Sequence, residues 1–510
     1  MLYNIDMAHY LLNGNEVVNM GKNILEKVNM LAAETQHKVY ITGGYLRSLI
    51  LNHSIEGVDI DLVVTGGRAS SFARKTAEAL QGTLVVLDRK NGIYRVVIQQ
   101  KGRKDIVLDF TRPKGRNLSE DLKRRDFTVN SLAVELGDFL NTSSSWQDFI
   151  IDIHGGIADL RERKIRAVSE EAFMDDPLRL IRGIRLCAAL DFRLEEKTLD
   201  WMFQSRERLP GVSGERVRDE LWKILDVKES YSWIYFMEER LEFLSILFPE
   251  VKQMMATEQN HFHGEGVWDH CLRTFKSIEK NIKSPPFSPE VALWIKEHLE
   301  QELAASRKRK HILKFFALFH DVGKIKTKKV LKSGRIVFHR HEVEGIPFLE
   351  KYSRQLKLSS RERKILSNLT RQHMHPLFLQ VAKKVSPRAF YKLFKKCGDE
   401  TIEVMMHSLS DFIAKREARE KIEEIKPYRE FIQKTLQKYF YEKETFVSPP
   451  EIISGEDIMK HLKLRPSPGV GYILAKVKEA QAEGRVKNKR EAINLASQVV
   501  HSSTYQKRFQ

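Results

Sequence analysis

The sequence predicts an α+β head followed by all-helical domains, on three observations. Between Lys38 and Phe110 five short runs rich in β-branched residues stand close together, and from about residue 118 the apolar spacing becomes helical almost without interruption. A chain of 510 residues also exceeds what one core organises, which points to about three or four domains of roughly 100 to 200 residues each.

The elements follow in order. Residues 14 to 34 place Val17, Val18, Ile24, Leu25, Val28 and Leu31 at helical spacing. KVYIT, DIDLVV, TLVVL, IYRVVIQ and DIVLDF then read as strands, with RKNG as a hairpin turn between the third and fourth. Beyond residue 118 come long amphipathic helices rich in Leu, Lys and Glu. NIKSPPFSPEVALW is a proline-broken loop or linker, ASRKRKH a solvated basic run, and FVSPPEIISGED a second break. The expected division is a head (1–140), a helical neck (141–240), a third helical domain (241–420) and a basic helical C-terminal arm (421–510).

Charge narrows the partners. Lys and Arg number 86 against 68 Asp and Glu, and the resulting +18 favours a polyanion such as nucleic acid over an acidic protein or a neutral metabolite. Cys187, Cys271 and Cys397 lie far apart with no paired spacing, which suggests neither a disulfide framework nor a cysteine zinc knuckle and fits a reducing cytoplasm. The opening MLYNIDMAHYLLNGNEVVNM lacks a basic stretch followed by an apolar one, and no run of about 18 apolar residues occurs. The expectation is a soluble, cytoplasmic protein with no membrane partner, as a monomer or a homodimer.

The chemistry begins at Asp59 and Asp61. Positions i and i+2 of a strand share a face, so the two carboxylates lie side by side and repel unless a cation, most simply a divalent metal, sits between them. Upstream, Gly43 and Gly44 in ITGGYLRSLI follow a strand and open a helix, where backbone N–H groups can approach a phosphate. A phosphate cradle beside two metal-binding carboxylates is what nucleotidyl transfer requires. Asp109 in IVLDF is either a third acid on a neighbouring strand or a strand-end residue.

DLKRRDFTVNSLA (121–133), DIHGGIADLRERKIR (152–166), DDPLRLIRGIRLCAAL (175–190) and ERVRDELWKIL (215–225) follow in an order that resembles the polymerase-β superfamily, specifically the bacterial class II tRNA nucleotidyltransferases and poly(A) polymerases. That resemblance implies a polymerase-β-like nucleotidyltransferase head and a template-independent enzyme adding C, with A left open, to the tRNA 3′ end from CTP and ATP. It further implies that Asp59 and Asp61 hold Mg2+, with Asp109 as third acid, and that Gly43, Gly44 and Arg47 hold the triphosphate. Arg125, Asp126 and Asn130 would contact ribose and phosphates, and Asp176 and Arg179 would read the base, with Arg182 also binding nucleotide. An Asp accepts from the exocyclic amino group of C or A and an Arg donates to ring nitrogens or a carbonyl, so side chains can replace a template. Two positions depart from the family pattern: Ser48 stands where an acid is usual but still offers a hydroxyl to the metal-phosphate network, and Asp175 stands where Glu is usual. The connection FTRPKGRNLSED is short, like that of relatives limited to adding two C residues, which leaves the third nucleotide open. A poly(A) polymerase is a further alternative, although RKNGIYRVVI lacks that branch's signature.

A second constellation follows. His270, His320, Asp321, His341, His373 and Asp411 occur in an order that resembles the HD phosphohydrolase superfamily, and imidazole with carboxylate suits Mg2+ or a divalent transition metal where thiolates are lacking. The resemblance implies metal-assisted hydrolysis of a phosphoester. His339, His375 and His407 read as bystanders, one ring of which could support a ligand from behind. A hydrolase with an RNA-binding head is therefore the alternative from another class. In the arm, PSPGVG opens a helix whose amides could face a phosphate, and Lys476, Lys478, Arg485, Lys487, Lys489 and Arg490 form either an RNA-backbone track or a solvated face.

Overall fold

A computed structural model describes residues 22–52, 59–100, 105–141, 143, 145–259, 266–381, 385–447 and 449–509. The first eight positions of the expected helix 14–34 lie outside the described residues; residues 22–34 are helical. The chain forms two compact units, Met1–Val212 and Ser213–Gln510.

The first unit is built on a seven-stranded sheet. Its strands are β1 (Lys38–Thr42), β2 (Asp59–Thr65), β3 (Thr83–Asp88), β4 (Ile93–Ile98), β5 (Ile106–Thr111), β6 (Leu132–Glu135) and β7 (Ile151–Asp152), ordered β3-β4-β5-β2-β1-β6-β7. Among the described residues of this sheet, β2 and β5 are the one pair that runs parallel. All five strands expected between Lys38 and Phe110 are present, and the turn between β3 and β4 falls on RKNG. β6 and β7 correct the expectation of helix from residue 118 onward: LAVE pairs antiparallel with β1 and presents a second edge to a two-residue strand. Runs of four and two residues carry too little alternation to be told from a helical segment by pattern, and sheet pairing decides them.

Helices α1 (Gly43–Ile50) and α2 (Ala69–Ala79) pack on this sheet, and Ile60, Leu62 and Val64 of β2 are buried as the alternation requires. α3 (Leu118–Lys123) lies between β5 and β6, and α4 (Leu178–Leu190) follows β7.

In the second unit α5 (Val267–Lys283), α6 (Arg309–Phe319), α7 (Ser360–Gln372) and α8 (Thr401–Glu417) pack together. α6 reads HILKFFALF and is buried nearly all round, as its near-continuous apolar sequence demands. Phe315 and Phe319 meet Phe248 and Tyr352 in one aromatic cluster. The chain's last helices, including α9 (Pro468–Ala482), enclose a small core of Ile458, Ile473, Val477, Ala492 and Tyr505. No helix among the described residues is long and apolar enough to cross a membrane, and all three cysteines are buried and unbridged.

Candidate functional site

The strand register lines up the first site. Thr42 on β1 is paired with Asp61, Asp61 with Asp109 on β5, and Asp109 with Arg95 on β4, so these four residues form one row across the sheet. Asp59 lies two residues before Asp61 and is solvent-exposed. Arg95 grips Asp109 with two bonds of 2.8 Å, so Asp109 is already neutralised. Asp59 and Asp61 make no such ion pair among the described residues.

Gly43 explains why glycine opens α1. Its φ is +72°, and a Cβ there would lie 2.4 Å from Asp61 Oδ2, so the Asp61 carboxylate rests directly against backbone. Burial raises the Asp61 carboxyl above its usual value, with Asp109 adding to the rise while Arg125 opposes it. Asp59 and Asp61, side by side and neither held in an ion pair among the described residues, form a donor set that fits a hard divalent cation.

Beside Asp61 opens a cavity of about 430 Å³ lined by eight Arg and Lys side chains against four Asp. Arg47 is pushed down to about 10 by burial, and Arg185 and Arg182 push in the same direction while Asp126 opposes them. Crowded guanidinium groups of this kind favour a ligand that brings several negative charges. The segment 125–130 is fixed from several directions. Asp126, buried, accepts from the Phe127 N–H at 2.8 Å and from Asn130 Nδ2 at 3.1 Å, and pairs with Arg182 at 3.0 Å. Burial raises its carboxyl, but Arg182 and these bonds outweigh burial and hold it low. Arg47 donates to Asn130 Oδ1. Arg125 donates to Thr42 Oγ1 at 3.1 Å and to Asp121, which also accepts from the Lys114 N–H.

The DIHGG motif has a positioning role. Asp152 accepts from the N–H groups of Gly156 and Ile157, buried Asp159 holds Thr128 at 2.6 Å, and a Cβ on Gly156 would strike the Thr128 carbonyl oxygen at 2.2 Å. The motif therefore clamps the helix-to-strand passage, between α3 and β6, that carries Asp126 and Asn130.

Asp176 and Arg179 both line the cavity. Asp176 Oδ1 accepts from the Leu178 N–H at the start of α4, and Arg179 donates to the carbonyls of Ala172 and Arg124. Each side chain thus has its position set by backbone. Asp175 ends the preceding helix and is exposed. Ser48 departs from its expected use: its hydroxyl donates to the Gly44 carbonyl within α1, because a serine inside a helix readily bonds one turn back. Arg112, Lys114, Arg124 and Arg185 also line the cavity without having been singled out from the sequence. Arg185 had a signal, since Arg179, Arg182 and Arg185 recur every three residues along one side of α4.

The second site lies within the helices of the second unit. His270 comes from α5, His320 and Asp321 from the end of α6, His341 from a short helix, His373 from the end of α7 and Asp411 from α8. Two triads result, His270–His320–Asp411 and Asp321–His341–His373, each with ligand atoms within 4.8 Å of one another and all buried. His270 Nε2 lies 2.8 Å from Asp411, His341 Nε2 lies 3.1 Å from Asp321 and 3.3 Å from His373 Nε2. Nε2 of His270 and of His320, Oδ2 of Asp321 and Oδ1 of Asp411 are buried without a well-directed hydrogen bond, as convergent ligand atoms are. The Nδ1 atoms of His320, His341 and His373 each meet the carbonyl three residues back, which turns Nε2 inward. Burial drives His270 down to about 4 and His373 down to about 3, so both are neutral ligands. Burial raises Asp321 and Asp411, but Lys324 at 2.6 Å and Lys415 at 2.7 Å outweigh it and keep both ionised. The donor set fits divalent metal, and Gly323 brings its halves together: a Cβ there would strike the His341 carbonyl at 2.1 Å. His339 and His375 stand apart from the triads, whereas His407 is buried among them.

In the arm, Lys476 pairs with Glu479, Arg485 with Glu483 and Lys489 with Asp457. Lys478, Lys487 and Arg490 form no side-chain ion pair among the described residues. Gly469 of PSPGVG is packed against the Tyr505 hydroxyl, while Gly471 faces open space.

Comparison with known families matches this arrangement. The Poly A polymerase head domain covers residues 39–166, the RNA and SrmB binding site of polymerase A covers 191–255, the HD domain 267–411 and tRNA nucleotidyltransferase domain 2 residues 372–496. An A-adding tRNA nucleotidyltransferase of Deinococcus radiodurans is 30% identical over 427 residues, 82% of this chain and 87% of the relative. A CC-adding tRNA nucleotidyltransferase of Thermus thermophilus is 29% identical over 467 residues, 90% of this chain and 93% of the relative. Among solved structures, a CCA-adding enzyme in apo form aligns with a TM-score of 0.63 at 22% identity over 98% of both chains. The Thermotoga maritima CCA-adding enzyme complexed with tRNA aligns at 0.59 and 21% identity, covering 98% of this chain and 100% of the other. With a polymerase head, an HD domain and a relative 30% identical over 82% of the chain, the chain belongs to the tRNA nucleotidyltransferase family and is a nucleotidyltransferase.

Proposed function

We propose that this enzyme extends the 3′ end of tRNA with C and A, taking CTP and ATP and releasing pyrophosphate without a nucleic-acid template. The observation that carries this reading is the adjacency of Asp59 and Asp61 to a cavity whose cationic side chains outnumber its acids two to one. Arg47 and Arg125 bind the triphosphate beside the Gly43–Gly44 amides, and Arg182 and Asn130, tied together through Asp126, fix the ribose end. Asp176 and Arg179, pinned by backbone, present an acceptor and donors to the base, so a wrong base is rejected because its edge does not match donors and acceptors that are held in place. Bound at Asp59 and Asp61, with Asp109 behind them, Mg2+ supplies the Lewis acidity that activates the attacking hydroxyl and neutralises the leaving group. Lys478, Lys487 and Arg490 of the arm hold tRNA phosphates, joined by Lys476 and Arg485 where RNA displaces their carboxylate partners. The HD centre takes Mg2+ or a divalent transition metal. A reducing cytoplasm suits the buried, unbridged cysteines.

A second reading, addition of two C residues only, is favoured by the connection after β5. Just Arg112–Asn117 join β5 to α3, and that link is closed by the Lys114–Asp121 and Arg116–Glu120 bonds. One assay separates the readings. The protein is incubated with tRNA ending before the first C, after two C residues and after the full CCA end, one nucleoside triphosphate at a time, and product length is read. C addition followed by one A supports the first reading, and a stop at two C residues the second. A long A tail, or no extension at all, contradicts both.

A further inference from the structure

Among the described residues, His407 is the histidine that packs against both HD triads and belongs to neither. It lies on α8 one turn before Asp411 and is completely buried. Its ring centre is 4.6 Å from that of His320 and 5.6 Å from that of His373, whose own rings are 5.8 Å apart. The three imidazoles therefore form a triangle, with one corner drawn from each metal triad. Phe316 closes one side, with its ring centre 4.6 Å from that of His407. His320 and His373 each have Nδ1 fixed by a backbone carbonyl, whereas neither nitrogen of His407 has a hydrogen-bond partner among the described residues. A buried polar group left so is penalised, and such groups are met by an ordered water or a ligand. Whichever tautomer it adopts, an imidazole offers at least one N–H donor.

We propose that His407 donates a hydrogen bond to a non-protein oxygen held between the two HD triads, either that of a water or that of a phosphate group. It is a positioning residue for the oxygen ligand, beyond the histidines and aspartates that take the metal, and the inference rests on the HD centre binding metal.

The test uses the full-length protein carrying Asp59→Ala and Asp61→Ala, so that bound Mn(II) reports the HD centre. Mn(II) and then orthophosphate are titrated while the Mn(II) paramagnetic resonance spectrum is followed. His407→Phe keeps a ring and removes both nitrogens. If the oxygen is that of water, this variant weakens Mn(II) binding itself by about tenfold or more; if it is that of phosphate, only the orthophosphate response weakens by that factor. His407→Gln or His407→Asn, which return a donor near Nε2 or Nδ1, recover most of the loss. Both titrations within about twofold of the parent, or a loss that neither amide recovers, overturn the proposal and leave His407 as packing against Phe316. If His407→Phe does not fold, His407→Met against His407→Gln carries the same contrast, with the same two outcomes. Failure of the parent to bind Mn(II) refutes the metal centre instead.

Discussion

Single residues divide the work of the head. Asp59 and Asp61 are available to a cation, while Asp109 is held by Arg95 through both oxygens. The expected order follows. Asp59→Asn and Asp61→Asn each lower kcat for C addition by on the order of 10³-fold, and Asp109→Asn by on the order of tenfold, measured under saturating CTP. Equal losses at all three would mean that Arg95 yields Asp109 to the cation. Gly43→Ala adds a Cβ where φ is +72° and Asp61 Oδ2 lies 2.4 Å away. It should cost about 1–3 kcal/mol in thermal unfolding and reduce kcat further than that loss explains, because it displaces a carboxylate. Much of this was legible in the sequence: Asp-x-Asp in a strand puts two acids on one face, and Gly-Gly before a helix marks a close approach. The Arg95–Asp109 pair was not, because register between β4 and β5 decides it and register is a property of the whole sheet.

Elements carry the ligands to their places. The DIHGG turn fastens the segment of Asp126 and Asn130, and Gly323 locks the end of α6 to His341. The arm helix α9 is fastened differently, by charge. Burial raises Glu479, but Arg388, Lys476 and Lys392 outweigh it and hold its carboxyl down to about 2. A folded value below the unfolded one means stability that is present above the unfolded value and lost as pH falls through the folded one. The thermal-melting difference between wild type and Glu479→Gln should therefore be fully open at about pH 6 and narrow steadily below about pH 4. A difference that stays constant over that range would assign the effect of the substitution to packing. The helical spacing read beyond residue 118 takes in α5 to α8. β6 and β7 stayed hidden because strands that short are chosen by their neighbours.

At the scale of the molecule, a net charge of +18 is the footprint of a polyanionic partner. If Lys478, Lys487 and Arg490 touch tRNA phosphates, replacing all three by Ala should flatten the slope of log binding constant against log salt by about 2 to 3, with little change in kcat at saturating tRNA. An unchanged slope would make them a solvated face. Both candidate constellations could be picked out in the sequence because each rests on a few residues in fixed order. The sequence hid the place of His407, which only the packing of α8 against α6 brings between the two triads. The central claim, that Asp59 and Asp61 grip a cation beside a triphosphate cavity, is tested most directly by a crystal structure with CTP and Mn(II), reading the anomalous signal of the metal. The expected map shows Mn(II) bound by carboxylate oxygens of Asp59 and Asp61, with phosphates against Arg47 and Arg125. Nucleotide outside that cavity, or metal bound away from the two aspartates, would contradict it.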